Sequence, residues 1–147
     1  MKIILNKCYG GFEVSPMGYQ LYAKKKGFEL YPYILTSDPE FKYDVDNYYY
    51  NKVKWEEIRY RSVHYLTKDF GNKIAKKSFK EIQDDYYFWI NSKYRTDPTL
   101  IEVIEELGDK ASGPCGELRI VEIPDDLDYV IDEYDGYERL HQRVQEW

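Results

Sequence analysis

Apolar and polar positions along the chain fall into short blocks whose period changes from one to the next. Lys2 to Lys7 is an apolar run that reads as a strand, and Cys8-Tyr9-Gly10-Gly11-Phe12 after it sets two glycines between aromatics, where backbone can turn or approach a bound group. Ser15-Pro16 is a helix start, with Ser as N-cap and Pro at the first helical position. Tyr19, Leu21, Tyr22 and Ala23 give that helix a buried stripe, and Lys24-Lys25-Lys26-Gly27 closes it. Leu30 to Leu35 predicts a second strand. From Thr36 to about Asp85 the pattern weakens: Ser37-Asp38-Pro39 predicts a turn, Asp44 to Asn51 is polar and aromatic, Arg59 to Leu66 fits a strand, and Phe79 with Ile82 fits one helical turn. This stretch reads as an elaboration, at about 36–85, on a single domain spanning 1–147.

The second half is more regular. Tyr86-Tyr87-Phe88-Trp89-Ile90 predicts a central strand buried on both faces. Asp97-Pro98 repeats the N-cap and N1 signature, Leu100, Val103, Ile104 and Leu107 recur at helical spacing, and Gly108 stops the helix, so the spacing predicts a helix over 98–107. Glu117 to Ile123 and Asp128 to Glu133 alternate on either side of Pro124-Asp125-Asp126, which predicts a hairpin. After Asp135-Gly136, the spacing of Tyr137, Leu140, Val144 and Trp147 predicts a short C-terminal helix. The fold class is therefore α+β: a β-sheet core with two or three packed helices.

Composition changes this picture in two places. A mean hydropathy of −0.73 would suggest a poorly packed chain, but 43% hydrophobic and 18% aromatic residues supply a core, and the low value reflects charges and tyrosines. The 17 tyrosines each join a flat apolar body to a hydrogen-bonding tip, which suits interfaces and ligand clefts and points to homo-oligomers. The net charge of −6 is also unevenly spread: residues 1–80 carry about +6 and residues 97–147 about −11. Such a division disfavours DNA binding through the acidic part, and opposite faces can meet within one subunit or between protomers. No apolar run approaches the roughly 18 residues of a membrane span, and Met1 to Asn6 is too short for the apolar region of a signal peptide.

Candidate chemistry is sparse. His64 and His141 lack the neighbours of a nucleophile–base motif, so no catalytic residue is assigned and the chain is not expected to be an enzyme. Cys8 and Cys115 lack zinc-site spacing and read as reduced thiols, Cys8 as a small hydrophobe ending its strand. The acids from Asp125 to Asp135 lack the calcium-loop pattern and read as a solvated hairpin, so neither metal nor cofactor is expected. The arginines stand out against the acidic second half. Arg119 and Arg139 have structural carboxylates within reach, Arg139 with Asp135 one helical turn away. Arg95 precedes Thr96-Asp97-Pro98, close to a helix start whose free N–H groups favour phosphate. Aromatic faces from Tyr9, Phe12 or Tyr94 would stack a base beside it, although neither a P-loop nor a G-x-G-x-x-G is present.

The opening Asn6-Lys7-Cys8-Tyr9-Gly10-Gly11-Phe12 with Ser15, the helix from Arg95-Thr96-Asp97-Pro98 to Glu106-Leu107-Gly108, and the segments Ile123-Pro124-Asp125-Asp126 and Tyr134-Asp135-Gly136-Tyr137-Glu138 resemble small tailed-phage and prophage proteins. Within that group the chain is similar to the Thoeris anti-defence sponges, over roughly 1–35 and 86–147. The resemblance implies a host-cytoplasmic immune-evasion protein that forms homo-oligomers with shared pockets and sequesters a cyclic ADP-ribose signal without cleaving it. It implies a ligand held by arginine and aromatic side chains, which falls here on Arg95, Arg143 and an aromatic such as Phe12; together with the reading of the residues themselves the candidate ligand site is Tyr9, Gly11, Phe12, Arg95, Thr96, Arg139 and Arg143. Two further readings are a protein-binding inhibitor of a host enzyme acting through the acidic hairpin, and an enzyme that cleaves the signal.

Overall fold

A computed structural model describes residues 1–37, 40, 48–58 and 62–143. The architecture is α+β, as the patterning predicts, and the chain divides into two compact units, Met1–Lys26 with Ile90–Trp147 and Gly27–Trp89. The predicted elaboration makes up most of the second unit, which also takes in the strand read at Leu30 to Leu35. Among the described residues no helix is long and apolar enough to cross a membrane.

In the first unit, β1 (Lys2–Asn6) pairs antiparallel with β7 (Leu118–Glu122), Ile4 opposite Ile120. Ile3, Ile4 and Leu5 are fully buried. They share a core with Leu118 of β7 and with Leu100 and Val103 of α3 (Pro98–Leu107). Helix α1 (Pro16–Lys26) packs on α3 with Tyr19, Tyr22 and Ala23 buried, while Leu21 is only half-buried. Both helix starts are capped as the sequence predicts. Ser15 Oγ accepts from Gly18 N at 3.0 Å, and Asp97 Oδ1 accepts from Thr99 N and Leu100 N at 2.8 and 3.1 Å. The phenol of Tyr22 donates to the other oxygen, Asp97 Oδ2, at 3.0 Å; burial and that carboxylate push its pKa up. Asp97→Ala is therefore expected to cost about 1 kcal/mol for the cap alone, read as a lower Tm, with Asp97→Asn recovering part of the loss.

Three sequence expectations are corrected in this unit. The strand at 117–123 forms no hairpin with the next one; it pairs with β1, whose apolar residues require a hydrogen-bonded neighbour to bury. Strand β8 (Tyr129–Tyr134) instead pairs with β9 (Tyr137–Gln142). The predicted C-terminal helix is thus a strand over 137–142, and Val144 and Trp147 of its apolar stripe lie outside the described residues. The reason is local. Asp135 and Gly136 have φ of 52° and 91°, the pair of left-handed conformations that a two-residue hairpin turn requires, so the chain reverses into a ribbon. Finally, Arg139 is not one helical turn from Asp135; it lies opposite Asp132 in the ribbon.

The second unit is a five-stranded antiparallel sheet in the order β5-β3-β2-β4-β6, formed by β2 (Tyr31–Thr36), β3 (Tyr49–Lys52), β4 (His64–Leu66), β5 (Lys73–Ala75) and β6 (Tyr87–Phe88). Helix α2 (Lys76–Tyr86) covers it, with Phe79, Ile82 and Tyr86 packed into a core of Tyr33, Leu66 and Ile74. The turn read at Phe79 and Ile82 is therefore a full 11-residue helix. The run 86–90 is not a central strand. Tyr86 ends α2, β6 is a two-residue edge, and Trp89 is 62% exposed. Apolar runs this short do not distinguish the last turn of a helix from a buried strand, and here the 79–82–86 spacing of the helix face decides the matter. The expected turn at Asp38-Pro39, the polar stretch at 44–47 and the start of the strand read at 59–66 lie outside the described residues.

Candidate functional site

The ribbon is docked on the first strand by a buried polar network. Asn6 is fully buried, and its side chain uses both ends: Nδ2 donates to Cys8 O at 2.9 Å and Gly136 O at 2.7 Å, and Oδ1 accepts from Glu117 N at 2.8 Å. Its backbone N–H donates to Glu138 Oε1 at 2.8 Å. Glu138 faces inward from β9 and meets Arg95 in a two-pronged ion pair, Nη1 to Oε1 at 3.2 Å and Nη2 to Oε2 at 2.7 Å. Arg95 Nη1 also donates to Ile4 O at 2.9 Å, and the guanidinium lies 5.6 Å over the Phe12 ring. The two side chains are only 16% and 8% exposed.

This placement removes Arg95 and Phe12 from the ligand site suggested by the sequence. The guanidinium is satisfied from within, by a carboxylate, a carbonyl and a ring. Thr96 is exposed in the turn before Asp97. Gly11 donates to Cys115 O at 3.1 Å and serves the backbone path. Arg143 lies at the far end of the ribbon, Nε 3.2 Å from Asp128 Oδ1. Arg119 is held by Glu117 at 2.5 Å and Asp109 at 2.9 Å, beside a second cleft that the half-buried Cys8 also lines.

Two of the expected residues, Tyr9 and Arg139, do come together. Side chains alternate along a strand, so Glu138 pointing inward sends Tyr137 and Arg139 to the outer face, opposite Tyr134 and Asp132. Gly10 N donates to Asp135 O at 3.0 Å, which sets Tyr9 beside the turn with its ring 5.5 Å from that of Tyr137 at an angle of 32°. Lys7 Nζ lies 5.2 Å over the Tyr137 ring and donates to Glu138 O at 2.7 Å, while the Arg139 guanidinium is 5.9 Å from the same ring. A cleft of about 290 Å³ results, lined by Tyr9, Asp132, Glu133, Tyr134, Tyr137 and Arg139. Asp132 is shared with His141 Nε2 at 3.1 Å, and Glu133 Oε1 accepts from Gly136 N in the turn.

The cleft offers flat faces, one guanidinium and two carboxylates, which is recognition chemistry: stacking, an anion contact, and acceptors for hydroxyl or amino groups. Tyr134, Tyr137, Asp132 and Glu133 were missed from the sequence. The signal that finds them is Asp135-Gly136 read as a hairpin turn, which places 134 opposite 137 and 132 opposite 139. No protein-family model, curated protein or solved structure matches this chain; the structure defines an α+β protein with a tyrosine-lined cleft.

Proposed function

We propose that this chain works by capture, holding a small nucleotide-like signal of the cyclic ADP-ribose type at the ribbon tip and leaving it unaltered, as the phage sponges it resembles do. The observation carrying this reading is the convergence of Tyr9, Tyr134, Tyr137 and Arg139 on one cleft. A base stacks on the Tyr9–Tyr137 pair, Arg139 meets a phosphate, and Asp132 and Glu133 accept from ribose hydroxyls. Lys7 and Arg139 are balanced by the two carboxylates, so stacking and hydrogen bonds carry more of the affinity than net charge does. Ligand at 100 times Kd stabilises the protein by about 2.7 kcal/mol, and Arg139→Ala and Tyr137→Ala abolish the shift. Mass analysis of the released ligand separates capture from cleavage. No shift with any cyclic ADP-ribose isomer or cyclic oligonucleotide rejects the reading.

A second reading, inhibition of a host enzyme through the acidic ribbon, is favoured by Tyr134. It is 77% exposed at the tip, in a run where Asp125, Asp126, Asp128, Asp132, Glu133 and Asp135 are all exposed. An exposed ring within a charged rim suits a protein contact. Recovery of one stoichiometric host protein that is lost with Tyr134→Ser selects this reading over the first.

A further inference from the structure

The second unit carries a cleft that neither reading uses. It is about 270 Å³ in volume and is lined by Tyr50, His64, Phe79, Gln83, Asp84 and Tyr87. Its floor is packed aromatic core: Tyr50 and Phe79 stack at 3.7 Å and 15°, and the His64 ring stands edge-on to both, 5.3 Å from Tyr50 and 5.7 Å from Phe79. Its wall is the exposed edge strand, from which Tyr87 Oη meets His64 Nδ1 at 3.1 Å. Its rim is the exposed face of α2, which contributes the Gln83 amide and the Asp84 carboxylate.

The charge of this lining is unusual for a chain with 21 basic residues. One carboxylate is present, and neither Lys nor Arg is among the six lining residues. Burial pushes the imidazole of His64 below its ordinary pKa, so at neutral pH the ring is uncharged. The rings of Tyr87, Tyr50 and His64 line the cleft with no cation among its described lining residues, and the Asp84 carboxylate belongs to the same lining. Uncharged rings around a single acid form the recognition chemistry of an organic ammonium group, which is held by ring quadrupoles and neutralised at the rim. Among the described lining residues a phosphate-bearing ligand meets no cation, and Asp84 repels it. The cleft is thus opposite in preference to the Tyr9–Arg139 cleft, and its occupancy does not depend on that site.

We propose that the Tyr50–His64–Tyr87 cleft is a binding site for a methylated organic cation, a quaternary ammonium head group, with Asp84 as its counter-charge. The test uses the full chain and choline as the probe, with 3,3-dimethylbutanol as its uncharged isostere. Because the chain has only two histidines, His141→Gln leaves one imidazole, and the ring protons of His64 report occupancy of the cleft directly by NMR. Saturable choline-dependent shifts of the His64 ring, with the isostere binding about tenfold or more weakly, are expected. Asp84→Asn, a change on an exposed helix face that leaves the fold intact, should weaken choline by a similar factor while leaving the isostere unaffected. Equal binding of choline and the isostere, an unchanged choline affinity in Asp84→Asn, or no movement of the His64 signals at saturating choline would overturn the proposal.

Discussion

Replacing Glu138 by alanine is expected to destabilise the first unit by about 3–5 kcal/mol, the range for removing one member of a buried ion pair. The loss is large because the carboxylate serves three donors at once: both prongs of Arg95 and the backbone N–H of Asn6. Removing it leaves a guanidinium that is 16% exposed without its counter-charge, packed between the Phe12 ring and the Ile4 carbonyl. Arg95→Ala should fall in the same range, since it leaves Glu138 as the orphan. The discriminating variant is the double substitution Arg95→Met with Glu138→Leu. Two charges replaced together by apolar side chains of similar bulk should recover most of the loss, because the desolvation cost of both ions disappears with their attraction. Urea unfolding with tryptophan emission and far-ultraviolet circular dichroism gives the energies. A double variant whose loss equals the sum of the two single losses would mean that the pair is not coupled and that each side chain supports the fold separately.

The same pair explains how the sequence both revealed and concealed the site. The helix starts at Ser15 and Asp97 were legible because capping is a contract between residues three apart, and both contracts are kept in the structure. The strand of Ile3, Ile4 and Leu5 was legible because a short apolar run with β-branched residues, ended by the Gly10-Gly11 turn signal, fits a buried strand. Arg95 was misread for a physical reason. Proximity to a helix start in sequence does not fix the direction of a long side chain, and the partner that determines it, Glu138, lies 43 positions away. The ribbon was misread because Tyr137, Leu140 and Val144 satisfy a helical period, whereas the Asp135-Gly136 dipeptide in front of them satisfies a turn. Local backbone chemistry won over a short helical spacing: φ is positive at both turn residues, and the alternation that follows buries Glu138 and exposes Arg139. The structure brings Tyr9 and Arg139 to one cleft, although the backbone that carries Arg139 is a ribbon strand and not the expected helix.

Gly10→Ala is expected to cost about 2–5 kcal/mol, combining strain at an unfavourable backbone angle with overpacking, and to dismantle the tyrosine cleft selectively. Gly10 has φ of 154°, and a β-carbon there would lie 2.1 Å from the carbonyl oxygen of Cys115. Neither party can yield cheaply. The Cys115 carbonyl accepts from Gly11 N at 3.1 Å, and on the other side Gly10 is crossed by Gly136, whose own β-carbon would meet the Gly10 backbone at 2.6 Å. Two glycines therefore let three chain segments meet: the loop after β1, the turn at Cys115 and the tip of the ribbon. A methyl at position 10 must separate at least one pair, and the bond from Gly10 N to Asp135 O, which places Tyr9 beside Tyr137, shares its residue with the clash. The variant should thus lose ligand-induced stabilisation while its second unit, which contains neither glycine, keeps its protection from hydrogen exchange. Gly11→Ala is the matched control, since a β-carbon there meets nothing within 4 Å, and it should stay within about 1 kcal/mol of the parent. If Gly10→Ala retains the parent's stability and ligand response, the close crossing does not set the cleft, and the Tyr9–Tyr137 pair must owe its position to the Asn6 bonds to Cys8 and Gly136.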